Sequence, residues 1–320
     1  MSVTPSGGRR VMAVDIGTNT VNTALSTEHG RPVHRTYYTR LGEGLDRTGK
    51  LSEAAMGRAL AVLEEVAADA ASSGAVEVVA AATAASREAA NGGEFLARAG
   101  RTLGVVPAVI DGDEEARLTY RGALGALAGP EAAPASGHNA LVVDIGGGST
   151  ELAVGSVGVN GPSLLASRSL AMGSVRYTER YLASDPPLPE ELLDCLSVAE
   201  ATLDEALVAE HLLGQADRLI VVAGTAETIG AVELGLAEWD ENVLNGLVLS
   251  KAQVEDVFRT LATEAEADRR HNPGLPPERV PYIVAGCCVL VTIMRRMGFA
   301  ECTVSVGSVR DGLLARTLDG

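Results

Sequence analysis

VMAVDIGTNT at residues 11–20 returns in altered form as VVDIGGGSTEL at residues 142–152. Each stretch is an apolar run that ends in an acid, Asp15 or Asp144, and then breaks into a glycine turn. Apolar runs bounded by Gly, Ser, Thr and Asn read as buried strands entering tight turns, with Val21–Leu25 and a segment from Glu151 as the returning strands. The two acids lie 129 residues apart, so the repeat has the scale of a domain. It predicts a duplicated fold with a ligand between the copies.

Outward from these turns, strand and helix alternate. The extended segment 31–40 is basic and carries two tyrosines, and 52–72 is a helix opening on a Ser52 cap. Val76–Ala81 reads as a strand, Ser86–Arg98 as a helix, Val105–Ile110 as a strand and Asp113–Leu124 as a helix. That alternation places the chain in the α/β class. Residues 127–138 (LAGPEAAPASGH) are the best linker candidate, which divides the chain into lobes at 1–126 and 127–320. In the second lobe, Ala140–Ile145 is the repeated strand, and RLIVVAG at 218–224 leads into a third glycine turn. A long helix starts at 185–191, an apolar helix covers Tyr282–Met297, and a last strand at Glu301–Val306 runs into a terminal helix with Arg310 and Asp311.

Composition narrows the function classes. The 320 residues are 46% hydrophobic and 21% charged, a globular balance. Net charge is −16, which argues against general nucleic-acid or anionic-membrane binding. The charge is uneven: residues 1–126 hold 13 Lys/Arg against 15 Asp/Glu, and residues 127–320 hold 13 against 27. An anionic ligand would approach from the first half, where residues 31–58 carry six Lys/Arg against three acids. Cys195, Cys287, Cys288 and Cys302 have no metal-binding spacing and read as buried thiols. With no signal peptide and no run of 18 apolar residues, the expected setting is soluble and cytoplasmic.

The glycine turns are neither a Walker loop nor a dinucleotide fingerprint, because GxxxxGK[ST] and GxGxxG are both absent. They offer successive backbone N–H groups and hydroxyls to an oxyanion. An acid at the end of each strand would repel a phosphate, so it calls for Mg²⁺ or an ordered water between. Asp111, Asp113, Glu114 and Glu115 are an acidic cluster that could equally be a helix N-terminus stabilised by the macrodipole.

VMAVDIGTNT, ATAASREAAN (82–91), DGDEEARLTYRG (111–122), VVDIGGGSTEL and VVAGTAETIGA (221–231), in that order, closely resemble the exopolyphosphatase / guanosine pentaphosphate phosphohydrolase family. The resemblance runs from residue 10 to residue 316. It implies two ribonuclease-H-like lobes of the actin-like superfamily with an interlobe cleft, in which the last helix, about 309–320, often returns to the first lobe. It further implies Glu115 as the general base that activates water, Asp144 and Glu151 as holders of Mg²⁺ or its waters, and Gly146, Gly147, Gly148 and Ser149 as a phosphate cradle. Asp15, Gly17, Thr18 and Asn19 would serve from the first lobe, and Arg87 would clamp the substrate, unless it is a surface partner of Glu88 or Glu94. Phosphoryl transfer to water needs in-line positioning, charge neutralisation and a base, which these parts supply.

The expected function is therefore a Mg²⁺-dependent exopolyphosphatase acting on inorganic polyphosphate. Guanosine pentaphosphate hydrolysis is the alternative, and a small-molecule kinase or a non-catalytic alarmone or polyphosphate sensor stands further off. No counterpart of the C-terminal helical region of the long family members follows the matched motifs, which together with the acidity favours short chains. SVGSVRDG (305–312) resembles the family's Ser-x-x-x-x-Arg-Glu-Gly with Asp311 in place of Glu. A homodimer is expected from the family, and the 282–297 helix reads first as core.

Overall fold

Strand β1 (Val11–Ile16) is buried at all six positions, so both faces of the sheet around it are covered. The computed structural model describes residues 9–28, 31–75, 77–127, 138–158 and 161–319. Strands β2 (Thr20–Leu25) and β3 (Val33–Tyr38) continue antiparallel from β1. Helices α1 (Leu45–Thr48) and α2 (Glu53–Ser72) lead to β4 (Glu77–Ala82), which runs parallel to β1. Helices α3 (Ala84–Glu88) and α4 (Gly92–Leu103) precede β5 (Ala108–Val109), and the sheet order is β3-β2-β1-β4-β5.

Helix α2 starts where its cap dictates, with the Ser52 hydroxyl accepting the Ala55 N–H at 3.1 Å. Met56, Ala59, Leu63, Val66 and Ala70 repeat at helical spacing and pack on Val14, Ile16 and Val21. The helix expected over Ser86–Arg98 is two. Ala89 is extended, and the Asn91 side chain exchanges two 2.9 Å hydrogen bonds with the Leu51 backbone, which turns the chain between α3 and α4.

The second sheet repeats the plan. After α5 (Gly112–Ala126) come β6 (Asn139–Ile145), β7 (Thr150–Gly158) and β8 (Gly161–Leu170), an antiparallel meander like β1–β2–β3. Helices α6 (Ser174–Tyr181) and α7 (Pro189–Ala209) lead to β9 (Arg218–Val222), parallel to β6. Then follow α8 (Ala223–Glu233), α9 (Glu241–Leu244), β10 (Val248–Ser250), α10 (Lys251–Thr263), α11 (Glu266–Arg269), α12 (Ile283–Met297), β11 (Glu301–Val304) and α13 (Val309–Asp319). The order β10-β11-β9-β6-β7-β8 keeps the meander-plus-parallel arrangement of the first sheet, so both sheets are ribonuclease-H-like.

Residue parity splits the faces of β6. Leu141, Val143 and Ile145 join the large core formed with α7, α10 and α12, while Ala140 and Val142 meet Ala116, Tyr120 and Ala123 of α5. Helix α12 is buried from Ile283 to Met294, so it is core of this unit. No described helix is long and apolar enough to cross a membrane. All four cysteines are free and buried, and burial pushes the Cys287 thiol up to about 12.

The chain forms two compact units: residues up to Ile110 with those from Arg310 onward, and Asp111–Val309. The division falls ahead of α5 rather than at residue 126. The reason is packing: Ala116, Tyr120, Ala123 and Leu124 close the Ala140/Val142 face of the second sheet. Most of the expected 127–138 linker, residues 128–137, lies outside the described residues.

Candidate active site

In the second unit, Asp144 at the end of β6 sits directly opposite Glu151 of β7, and Glu151 sits opposite Ser169 of β8. Opposed residues in a sheet point to the same face, so Asp144, Glu151 and Ser169 form one row. Both acids are buried, at 8% and 2% exposure. The Ser169 hydroxyl donates to Glu151 Oε1 at 2.7 Å.

Helix α5 lies over this row. Asp111 caps it by accepting the Glu114 N–H at 2.8 Å, which fixes where the first turn starts. Gly112, Glu115 and Thr119 then share a face by their spacing. Thr119 Oγ1 donates to Asp144 Oδ2 at 3.3 Å, at one end of the row. At the other end a Cβ on Gly112 would come within 2.4 Å of the Ser169 Cβ, so only glycine lets the helix approach so closely. Glu115, between them on the same helix face, is 6% exposed. Asp113 is drawn to the same sheet edge, where its Oδ1 accepts the Ser167 hydroxyl at 2.9 Å.

The adjoining glycine turn closes with Gly146 N–H donating to Ser149 O at 3.0 Å. Its carbonyls face the start of α6: Gly146 O accepts Ser174 N–H, and Gly147 O accepts the Val175 and Arg176 N–H groups, at 2.9 to 3.1 Å. Gly148 O accepts from Arg176 Nε at 2.6 Å. With the carbonyls committed there, the Gly147 and Gly148 N–H groups donate no hydrogen bond among the described residues. Successive N–H groups left open in one turn are the kind of donors that an anion can take up.

In the first unit the corresponding turn closes the same way, Gly17 N–H to Thr20 O at 2.9 Å. Asn22 occupies the place opposite Asp15 that Glu151 takes opposite Asp144. Asn22 Nδ2 donates to Asp15 Oδ2 at 3.3 Å. Asp15 Oδ1 is buried without a hydrogen-bond partner among the described residues, as are Asn19 Oδ1, Thr39 Oγ1 and Ser86 Oγ. Burial pushes the Asp15 carboxyl up to about 6, against lowering contributions from Asn22 and Arg310. The loop after β3 holds the turn in place. Asn19 O accepts the Thr39 and Arg40 N–H groups, and Thr18 O accepts that of Gly42. Thr83, before α3, donates its N–H to Ile16 O at 3.1 Å, which brings α3 to the end of β1. Arg87 on α3 is half-buried and donates to Ile110 O at 2.7 Å. Glu94 lies 4.0 Å from Arg98 instead.

The structure thus gathers Glu115, Asp144 and Glu151 with the Gly146–Ser149 turn in one unit, and Asp15, Gly17, Thr18, Asn19 and Arg87 in the other. Sequence reading missed Thr119 and Ser169. Thr119 falls one turn after Glu115 and was legible from helical spacing, whereas Ser169 lies on β8, whose GPSLLASRSL lacks the β-branched signature of a strand. The third glycine turn, expected after Val222, is the start of α8, and the Arg279 guanidinium packs directly on Gly224.

No group of three or more His, Cys, Asp or Glu side chains placed to hold a metal occurs among the described residues. The oxygen-only pair Asp144 and Glu151 still fits Mg²⁺, which binds through one or two carboxylates and fills its octahedron with water and phosphate oxygens. Directly opposed carboxylates repel, and a divalent cation relieves that repulsion.

A family model described as the Ppx/GppA phosphatase family matches residues 26–320. Exopolyphosphatase 2 of Mycobacterium tuberculosis is 32% identical over 321 residues, covering 95% of this chain and 97% of its own. The crystal structure of an exopolyphosphatase-like protein superposes with a TM-score of 0.89 at 31% identity, covering 97% and 99% of the two chains. That of the Aquifex aeolicus Ppx/GppA family member gives 0.78 at 27% identity, covering 97% and 98%.

Proposed function

The chain belongs to the Ppx/GppA phosphatase family, and from that premise we propose that it is an exopolyphosphatase that releases terminal orthophosphate from inorganic polyphosphate. The observation that carries the reading is the Asp144–Glu151–Ser169 row under α5, whose buried Glu115 shares a helix face with the Gly112 and Thr119 that meet the row.

Glu115 is the general base in this reading. Its buried carboxylate takes a proton from water as the oxygen attacks the terminal phosphorus, and the phosphoanhydride oxygen leaves with the bond electrons. The Gly147 and Gly148 N–H groups and the Ser149 hydroxyl bind phosphate oxygens, and the Gly17–Asn19 turn offers an anion the same kind of cradle. Arg87 supplies a fork of donors suited to a phosphate group. Asp144 and Glu151 would hold Mg²⁺, which when bound neutralises phosphate charge. Thr119 and Ser169 fix the two carboxylates through their hydrogen bonds. The net charge of −16 favours short polyphosphates over long ones. A homodimer belongs to the same proposal, formed by surfaces other than the buried α12.

The test measures orthophosphate release from tripolyphosphate, long-chain polyphosphate and guanosine pentaphosphate, with and without Mg²⁺. Release from the polyphosphates that needs Mg²⁺ and falls roughly 10³-fold in Glu115→Gln is the expected result. Release from the nucleotide alone would transfer the activity to guanosine pentaphosphate. No release from any of the three would overturn the hydrolase reading.

A further inference from the structure

We propose that Arg310 and Asp311, at the start of α13, are positioning residues for Asp15, acting through a row of side chains that crosses the first sheet. The inference rests on the phosphate-hydrolase reading only in giving Asp15 a ligand to face.

Asp15, Asn22 and Thr36 are cross-strand neighbours on β1, β2 and β3, and so are Ala13, Ala24 and His34 one step along. All six therefore lie on one face of the sheet. Opposite that face is the first turn of α13. Arg310 Nη1 donates to Thr36 Oγ1 at 3.4 Å, Thr36 Oγ1 donates to Asn22 Oδ1 at 3.0 Å, and Asn22 Nδ2 donates to Asp15 Oδ2 at 3.3 Å. The donors and acceptors are consistent in a single direction. Arg310 can only donate, so the Thr36 hydroxyl accepts from it and turns its own proton to Asn22 Oδ1. That settles which end of the Asn22 amide meets Asp15, with Nδ2 also donating to Thr20 Oγ1 at 3.1 Å. Asp15 Oδ2 is thereby held, and Oδ1 is left buried with no partner among the described residues.

The far end of the row is held by an ion pair and a histidine contact. Arg310 is 5% exposed, and its Nε lies 3.5 Å from Asp311 Oδ2. Asp311 Oδ1 in turn meets His34 Nε2 at 2.7 Å. A buried guanidinium on a face otherwise lined by alanine and small polar groups is costly unless a carboxylate pairs with it. Asp311, His34, Asp15 and Arg310 are the titratable groups that these contacts join from β1, β3 and α13. The Arg310 charge favours the ionised form of Asp15. The shorter Asp311, in the place where the family motif carries Glu, reaches His34 and holds Arg310 over Thr36.

Thr36 is exposed, so Thr36→Val interrupts the row at little cost to folding. Two readouts are taken on the full chain. The first is steady-state orthophosphate release from tripolyphosphate with Mg²⁺. The second is the titration of the Asp15 carboxyl by carbon NMR without substrate, its resonance identified by its loss in Asp15→Asn. Thr36→Val and Arg310→Gln are each expected to lower kcat roughly tenfold with KM little changed, and Thr36→Ser to restore it. In both interrupted variants the Asp15 carboxyl should titrate higher than in the wild type. If the wild type hydrolyses nothing, the titration still decides the positioning role by itself. The proposal is overturned if Thr36→Val leaves kcat and the titration unchanged. It is equally overturned if Arg310→Gln loses activity only in step with its melting temperature.

Discussion

The two glycine hairpins share a register and part company at one position. Both place an acid at the end of a buried strand and close with the same N–H to carbonyl bond. Opposite the acid, the first hairpin has Asn22 and the second has Glu151. An amide satisfies a carboxylate by donating to it, whereas a second carboxylate cannot. The first hairpin thus holds one oxygen of its acid by an amide donor from the facing strand, whereas the facing pair of the second presents two carboxylates, a donor set suited to a cation. One duplicated frame yields two chemistries through a single change of partner.

Several substitutions press on that difference. Converting the second hairpin toward the first, Glu151→Asn, should cost the most. Orthophosphate release is expected to fall about 100-fold, and Mg²⁺ should no longer raise the melting temperature of the substrate-free protein. Retention of that Mg²⁺ response would show that the opposed acids are not the cation site.

Asp15→Asn tests the first hairpin by stability. Folding raises the Asp15 carboxyl from 3.8 to about 6, so the folded state holds the proton more tightly than the unfolded chain. The stability this group contributes is complete below pH 3.8 and is lost as pH rises through about 6. The neutral amide avoids that loss. Asp15→Asn should therefore be more stable than the wild type at pH 8, by up to about 3 kcal/mol, and no more stable at pH 3.5. Urea titrations at the two pH values check the sign, while activity at pH 8 falls.

Asn22→Asp converts the first hairpin toward the second. A half-buried carboxylate set opposite the buried Asp15 should lower stability at pH 8 by about 2 kcal/mol, a loss that shrinks toward pH 5. Ser169→Ala is the mildest change. It leaves Glu151 buried without its 2.7 Å donor and should reduce kcat/KM several-fold, read from initial rates.

Most of this frame was legible in the sequence, because VMAVDIGTNT and VVDIGGGSTEL carry strand, acid and turn in contiguous residues. Glu115, Asp144 and Glu151 came with their motifs. The Asn22/Glu151 contrast was visible as residue types, yet its meaning depends on which residues face each other across a hairpin, and register fixes that. Thr36, Ser169 and Arg310 join the picture through sheets and helices distant in sequence. The break in the Ser86–Arg98 helix escaped for the same reason: Asn91 answers to Leu51, forty residues earlier. The division ahead of α5 was not legible, because the units part where α5 finds its apolar surface on the second sheet, a long-range contact that local Pro/Ala composition does not encode.

The reciprocal use of helices by the two units has a consequence for biosynthesis. Helix α5 directly follows the strands of the first unit and packs in the second, while α13 follows the strands of the second and groups with the first. A ribosome therefore delivers the whole of Asp111–Val309 before it delivers the segment that meets Thr36 and His34. The half that emerges first is the half completed last. Its nascent sheet waits with His34 and Thr36 lacking their α13 partners, and Asp15 reaches its final setting only after Arg310 has left the ribosome.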